Sequence, residues 1–114
     1  MDELNLPIIK KLYELYKLFY DYRASIPKLD RYAIWQRCDE LVLDILENFL
    51  SAAYAQNLEK IAILKNASKK LNILRILVRL VKDIKAIDGK KYITLQEFIN
   101  EIGRMLGGWM RSGN

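Results

Sequence analysis

A row of cationic and polar side chains in the second half of the chain offers the clearest chemistry in this sequence. Steps of three and four residues place its members on one side of a helix. This basic row comprises Lys65, Ser68, Asn72, Arg75, Arg79 and Lys82. Aligned ammonium and guanidinium groups can neutralise successive phosphates of a nucleic-acid backbone, giving affinity without sequence readout. The alternative interpretation is an ordinary solvated helix face.

The net charge of +5 is distributed unevenly along the chain. Residues 1–57 carry seven Lys or Arg and nine Asp or Glu, whereas residues 58–114 carry twelve and five. The second half therefore has a balance of +7 against −2 for the first. This asymmetry favours a polyanionic partner for the second half of the chain.

The residue types that catalysis needs are scarce here. Histidine is absent and Cys38 is the single cysteine, so Cys/His zinc sites, internal disulfides and Glu-x-x-His di-iron sites are excluded. Cys38 has the spacing of a buried core residue. The carboxylates on the same helix are predicted to face solvent: Asp39, Glu40, Asp44 and Glu47. The sequence predicts no catalytic residues, no metal and no cofactor, and therefore a protein that is not an enzyme.

Apolar residues recur at three- and four-residue steps, and no segment alternates as a strand does. The pattern predicts four helices in one domain that spans residues 1–114, at about 7–24, 31–54, 58–87 and 89–111. Pro7 suits a first helical turn, and Asp30 is a predicted N-cap of the second helix. Asp88 is a predicted N-cap of the fourth, with the Thr94–Glu97 capping box as the alternative start. Short links predict an all-α, antiparallel up-down-up-down four-helix bundle.

The third predicted helix has more apolar surface than one bundle interface requires. One stripe of apolar residues extends along this helix from Ile63 to Val81. A second set of apolar residues lies beside the stripe and widens the apolar arc of the helix to about 200°. The second set comprises Ile73, Ile76, Leu77, Leu80 and Ile84. Either this helix is central and contacts both neighbours, or the second set is buried against another subunit.

The fourth predicted helix places two glycines one turn apart, opposite its apolar face. Each interior glycine costs about 1 kcal/mol of helix stability relative to alanine. Gly103 and Gly107 therefore indicate that a partner backbone, helix or phosphate approaches closely, the alternative being a frayed helix end. Arg104 and Arg111 share their side of the helix and extend the candidate phosphate-binding set.

The beginning of the chain, Met1-Asp2-Glu3-Leu4-Asn5, is acidic where a secretory signal would be basic. No apolar run approaches the roughly 20 residues that a membrane span needs. A single cysteine fits a reducing compartment. We therefore expect a cytoplasmic protein without a membrane partner.

Several stretches carry a family resemblance that covers nearly the whole chain. The most specific is Glu101-Ile102-Gly103-Arg104-Met105-Leu106-Gly107-Gly108-Trp109-Met110-Arg111-Ser112. The others are Leu74-Arg75-Ile76-Leu77-Val78-Arg79-Leu80-Val81-Lys82-Asp83, Pro27-Lys28 before Asp30-Arg31-Tyr32, and Leu43-Asp44-Ile45-Leu46-Glu47. Together they resemble the accessory variability determinant (Avd) family of diversity-generating retroelements and related bacterial four-helix-bundle proteins.

The resemblance implies a protomer that assembles into a barrel-like homopentamer with a basic surface. It further implies binding to a reverse transcriptase and to template RNA or cDNA, in support of mutagenic reverse transcription. Matched to the family's motifs, Arg75, Arg79, Lys82, Arg104 and Arg111 take basic positions. The structural positions are taken by Gly103, Gly107 and Trp109. Gly89 departs from the pattern, which has a larger residue after the helix-four cap.

Two other functions remain open from the sequence. One is an orphan four-helix bundle of the type encoded in ribosomal RNA intervening sequences. The other is a protein-interaction module whose positive charge is incidental and which does not bind nucleic acid. The steepness with which nucleic-acid affinity falls with salt separates the latter from a phosphate-binding protein.

Overall fold

The computed structural model describes residues 2–112, so that Met1, Gly113 and Asn114 lie outside it. A 3₁₀ turn, Glu3–Asn5, precedes the helices. The helices are α1 Pro7–Arg23, α2 Lys28–Arg31, α3 Ile34–Tyr54, α4 Asn57–Asp83 and α5 Gly89–Ser112. No strand occurs among the described residues, which confirms the all-α prediction. The four long helices α1, α3, α4 and α5 form the bundle, and α2 is a single turn.

The long helices follow one another around the bundle. Helix α1 packs against α3 and α5, and α4 packs against the same two helices from the opposite side. Gly103 of α5 lies beside Leu71 of α4, whereas Gln96, earlier in α5, reaches the carbonyl of Arg75, later in α4. This register is antiparallel, as the short connections require. The described chain measures 43 × 24 × 22 Å, close to the roughly 40 Å length of α4.

The core is apolar throughout, since no polar or charged residue is fully buried among residues 2–112. Trp35 of α3 and Phe19 of α1 stack with ring centroids 4.7 Å apart. The Trp35 indole N–H donates to the backbone carbonyl of Phe19 at 3.3 Å, so burial leaves this donor satisfied. The predicted core of α1 is buried at Ile8, Leu12, Leu15 and Phe19. This aromatic pair and its hydrogen bond therefore help to hold α1 against α3 within the shared apolar core.

The predicted N-cap at Asp30 is wrong. Asp30 lies inside α2, and α3 begins at Ile34 after Ala33, with no side-chain cap. The backbone leaves the helical conformation at Ala33, with φ −120° and ψ −103°, so the chain does not continue as one helix from residue 31. The Arg31 guanidinium donates to the carbonyls of Ala24 at 3.2 Å and Ile26 at 3.0 Å, which ties α2 to the end of α1.

Helix α4 ends at Asp83, four residues before the predicted limit. Lys85 adopts φ 66°, and its N–H donates to the carbonyl of Lys82 at 2.9 Å. The N–H of Ala86 donates to the carbonyl of Val81 at 3.0 Å. This bonding closes the helix in a Schellman motif, whose left-handed position is usually glycine. A lysine there stops α4 early.

Helix α5 begins at Gly89, which agrees with the predicted start after an Asp88 N-cap. The backbone N–H of Lys91 donates to the Asp88 carboxylate at 2.8 Å, which is the predicted N-cap bond. Thr94 instead donates its hydroxyl to the carbonyl of Lys90 at 3.1 Å, inside the helix. The capping-box start at Thr94 is therefore wrong.

Replacing Lys85 by glycine should stabilise the fold. A residue with a Cβ in the left-handed region loses about 1 kcal/mol relative to glycine, and the Lys85 side chain is exposed. We expect Lys85→Gly to raise the free energy of unfolding by about 1 kcal/mol in urea titrations. Lys90→Gly, within the first turn of α5, is the control and should lower it; equal effects of the two changes would contradict the left-handed assignment.

Candidate nucleic-acid and assembly surface

The basic row lies on the outer side of α4, beside α5. Lys65 and Arg79 are exposed, whereas Arg75 and Lys82 are half-buried. The neighbouring side of α4 faces the bundle core, where Leu71, Leu74, Val78 and Val81 are buried. The periodicity of the sequence thus separates a cationic side from an apolar side, and the structure places both on one helix.

Arg75 occupies the centre of this surface. One of its guanidinium nitrogens donates to the side-chain oxygen of Asn72 at 2.7 Å, and its carbonyl accepts from the Gln96 side chain at 3.3 Å. The other terminal nitrogen lies 3.3 Å from the place where a Cβ on Gly103 would be. The guanidinium therefore rests against α5 at Gly103 and is oriented by Asn72, while Gln96 fixes the backbone of the same residue.

Asp83 lies between two cations of the basic row. Its carboxylate oxygens are 3.9 Å from Nε of Arg79 and 3.9 Å from Nζ of Lys82. The Lys82 ammonium also lies 4.7 Å above the ring of Tyr92. These pairs are exposed and therefore weak. Arg79 and Lys82 therefore keep donors in contact with solvent, and one carboxylate reduces their local charge.

On α5, Arg104 is exposed and forms an ion pair with Glu101 one turn earlier. Arg111 is also exposed, and its guanidinium folds back along α5 beside Gly107. Arg104 lies next to α4, while Arg111 lies about 12 Å further along α5 from Gly103. The two arginines of α5 therefore belong to different parts of the surface.

A groove of about 440 Å³ between α4 and α5 brings part of the predicted set together. It is lined by Arg75, Arg104, Gly103 and Gly107, with Asn72 and Asn100 among the polar residues. A second groove, of about 460 Å³, lies beside it and includes Arg75, Arg79 and Ile76. Lys65, Lys82 and Arg111 line neither groove. We call the two together the α4–α5 groove.

The second apolar set of α4 is exposed in the protomer. Ile76 is 65% exposed, and Leu77 alone of the set is half-buried. The remaining members are Ile73, Leu80 and Ile84, each between 44% and 47% exposed. Ile93 of α5 is 58% exposed and lines the groove with Ile76. We call Ile73, Ile76, Leu80, Ile84 and Ile93 the isoleucine stripe.

The two interior glycines are already approached closely within the chain. At Gly103, a Cβ would lie 3.3 Å from the Arg75 guanidinium and 3.7 Å from Leu71. At Gly107, a Cβ would lie 3.2 Å from the Arg111 guanidinium. Gly103 therefore allows α4 and α5 to pack with an arginine between them, and no second subunit is needed to account for it.

Sequence reasoning missed two contributors to this surface. Ile93 extends the apolar stripe onto α5, and Gln96 fixes the backbone at Arg75. The signal for Ile93 was an isoleucine outside the core spacing of its helix, between Leu95 and the charged Lys90 and Lys91. The signal for Gln96 was absent, because its partner depends on the register between α4 and α5.

A family model described as bAvd-like matches residues 6–113. The chain belongs to the bAvd-like family. This confirms the resemblance to the Avd family, and the match includes every residue of the basic row and of the isoleucine stripe. A search of curated proteins found none that matches this bAvd-like chain.

Other groups in the bundle lie away from this surface. Within residues 2–112, no cluster of His, Cys, Asp or Glu side chains could hold a metal ion, and none of the helices combines the length and apolar character of a membrane span.

Asp39 is half-buried, unlike the solvated carboxylate predicted, and its carboxylate accepts a hydrogen bond from the Tyr16 hydroxyl at 3.5 Å. Burial raises the pKa of the Asp39 carboxyl. Asp44 is likewise half-buried, 3.8 Å from the Lys70 ammonium.

Cys38 should be unreactive in the folded protein. Burial raises the pKa of its thiol to about 12, and the side chain has no exposed surface. At pH 8 only about one thiol in ten thousand would be ionised. We expect Ellman's reagent to react at least about a thousandfold more slowly with native protein than with protein in guanidinium chloride. Rapid labelling of the native state would show that Cys38 is accessible.

Proposed function

We propose that this bAvd-like chain is a non-enzymatic accessory subunit of a diversity-generating retroelement. It binds the reverse transcriptase and the template RNA, or the cDNA made from it, and supports mutagenic reverse transcription. The observation that carries the proposal is the family match over residues 6–113. The α4–α5 groove and the isoleucine stripe supply surfaces suited to the two kinds of contact.

The nucleic-acid part of the proposal rests on the chemistry of the α4–α5 groove. Arg75, Arg79 and Arg104 surround it, and the side chains of Arg79 and Arg104 are 69% and 70% exposed. Guanidinium groups make bidentate contacts with phosphate oxygens. Among the described residues, Glu97 is the one acid that lines the groove. Asp83 and Glu101 lie beside it and pair with Arg79 and Arg104 only through exposed ion pairs, which a phosphate backbone can replace.

The assembly part rests on the isoleucine stripe. Its α4 members recur at steps of three and four residues and continue along about 16 Å of the helix. Monomers rarely expose a continuous apolar surface of this kind unless it mediates an interaction. We propose that this stripe is the contact between protomers of a homopentamer, as in the family, with the arginines at its edge available to RNA.

The reverse transcriptase is the proposed protein partner. Because the isoleucine stripe would be buried between protomers, the transcriptase would bind a composite surface made of adjacent protomers. The cationic side of such a surface would place bound RNA next to the enzyme. The proposed accessory role is therefore one of positioning, and it requires no catalytic group in this chain.

A protein-interaction module without nucleic-acid binding is the second candidate. It is favoured by one observation, which is that the carboxylates of Asp83 and Glu101 already pair with Arg79, Lys82 and Arg104. Under this alternative the arginines serve the fold and the salt dependence of any nucleic-acid binding is shallow. Reversing the charge of the arginines separates the two candidates.

Charge reversal in the basic row should remove RNA binding. We expect Arg75→Glu with Arg79→Glu to lose retention of RNA at moderate salt, because two phosphate contacts become repulsive. The slope of log affinity against log salt concentration should decrease in magnitude by about 2. Filter binding at several salt concentrations measures both quantities.

The control for that experiment is Lys10→Glu with Lys17→Glu, which makes the same change of charge at exposed positions of α1. Circular dichroism and native mass check that both variants fold and assemble. Equal loss of affinity in the two variants would mean that net charge, and not the basic row, determines binding. Unchanged affinity in the α4 variant would contradict the row as the RNA surface.

Charged residues in the isoleucine stripe should dissociate the oligomer. We expect Ile76→Glu with Leu80→Glu to yield a folded protomer of 13.4 kDa, because two carboxylates would otherwise be buried without partners. Native mass spectrometry and light scattering measure the particle mass. Leu58→Glu is the control, since Leu58 is 85% exposed near the start of α4, away from the stripe. A wild-type protein that is itself monomeric would overturn the assembly proposal.

A further inference from the structure

A second cationic surface lies at the end of the bundle where α4 turns into α5. A pocket of about 510 Å³ opens there between this turn and the residues that follow α1. Three lysines line it, Lys82, Lys85 and Lys91, together with Ser25 and Asp88. We call it the lysine pocket. Apart from Lys82, these residues are absent from the basic row, and they come from two chain segments that only the fold brings together.

Two of the three ammonium groups are held in place by neighbours. The Lys91 ammonium donates to the Ser25 hydroxyl at 3.1 Å and lies 5.3 Å from the centre of the Tyr22 ring. The Lys82 ammonium lies 4.7 Å from the centre of the Tyr92 ring. Aromatic rings attract cations and leave the ammonium hydrogens that point away from the ring free to bind an anion. The pocket is therefore partly ordered before any ligand arrives.

The third ammonium is presented by the left-handed residue that ends α4. Lys85 holds φ 66°, a conformation in which glycine would be more stable. Residues held in such a conformation are a recognised feature of binding sites. The lysine at this position adds a cation to the pocket at a cost to the stability of the turn.

The local charge favours an anion. Residues 82–91 contain four lysines and two aspartates, a balance of +2. Asp88 uses one carboxylate oxygen to accept from the N–H of Lys91, so the first turn of α5 is already capped by the chain itself. Asp83 lies 3.9 Å from the Lys82 ammonium, and it is shared with Arg79 outside the pocket. The preference for an anion therefore comes from the ammonium groups and not from the end of the helix.

We propose that the lysine pocket binds a phosphate group. Three ammonium groups offer donors to the pocket, which suits the array of phosphate oxygens. The Ser25 hydroxyl donates to the carbonyl of Tyr22 at 2.8 Å, so its part is to accept from Lys91 and hold that ammonium in place. The phosphate comes either from a nucleic acid or from a free pyrophosphate-type compound. The nucleic-acid case rests on the proposed function, whereas the free-phosphate case stands independently of it.

The first experiment titrates pyrophosphate into the full-length protein and follows backbone amide resonances by NMR. We expect shifts at Ser25, Lys85 and Lys91 that saturate. Lys85→Gly should weaken the binding about tenfold, the lower end of the loss for one hydrogen bond to a charged group. Because glycine suits the left-handed turn, this variant removes the cation without loosening the fold.

The control is Lys10→Gln, which removes one charge at an exposed position on α1. It should leave pyrophosphate binding unchanged. If pyrophosphate causes no saturable shifts, or if Lys10→Gln weakens it as much as Lys85→Gly does, the lysine pocket is not a phosphate site.

The second experiment identifies the source of the phosphate by competition with a short RNA. If pyrophosphate displaces the RNA and Lys85→Gly weakens RNA binding, the pocket binds nucleic-acid phosphate. If pyrophosphate binds at the pocket without displacing RNA, the ligand is a free phosphate compound. RNA that binds through Arg75 and Arg79, with no pyrophosphate bound at Lys85, overturns this inference alone. Pyrophosphate binding with no RNA binding overturns the proposed function alone.

Discussion

The fraction of the α4 surface that can be buried is limited by the number of helices that pack against it within one four-helix protomer. Helices α3 and α5 cover the side of α4 that carries Leu74 and Val78, and no other element within residues 2–112 covers the rest. Burial of apolar side chains contributes most of the stability of such a bundle, about 25 cal/mol for each Å² removed from water. The apolar residues left outside, such as Ile76, therefore represent unused stabilisation. The cationic groove exists because the same helix also faces solvent along its border with α5.

Charge and apolar surface lie side by side on α4, and this arrangement has an electrostatic consequence. If the isoleucine stripe becomes buried, the dielectric constant around Arg79 falls and its attraction for an anion increases. The attraction of Asp83 for Arg79 strengthens in the same way, since its carboxylate lies 3.9 Å away. Any gain in phosphate affinity on assembly is therefore what remains after two costs, the stronger attraction between Asp83 and Arg79 and the desolvation of the guanidinium. A polyanion with closely spaced phosphates gains more from this than an isolated anion, because one carboxylate opposes several contacts.

Periodicity and breaker residues predicted the helices well where local chemistry decides their limits. Helix α1 begins at Pro7 and α5 at Gly89 after its Asp88 cap, as expected from the sequence. The predictions failed where distant or unusual contacts decide. The second predicted helix is interrupted at Ala33, next to a turn that Arg31 ties to the end of α1. The third predicted helix stops before Lys85, which adopts a conformation that glycine normally adopts. Likewise, spacing placed the basic row on one face, but the contact of Arg75 with Gly103 depends on the register between two helices, which residue types do not encode.

The contact between Arg75 and Gly103 makes the backbone of α5 part of the binding surface. No side chain of α5 separates the guanidinium from this backbone at Gly103. A ligand that draws this guanidinium outward would uncover a notch on α5 bounded by Gly103 and Leu71. Occupancy of the groove would in this way be coupled to exposure of the α5 backbone, through a residue that has no side chain.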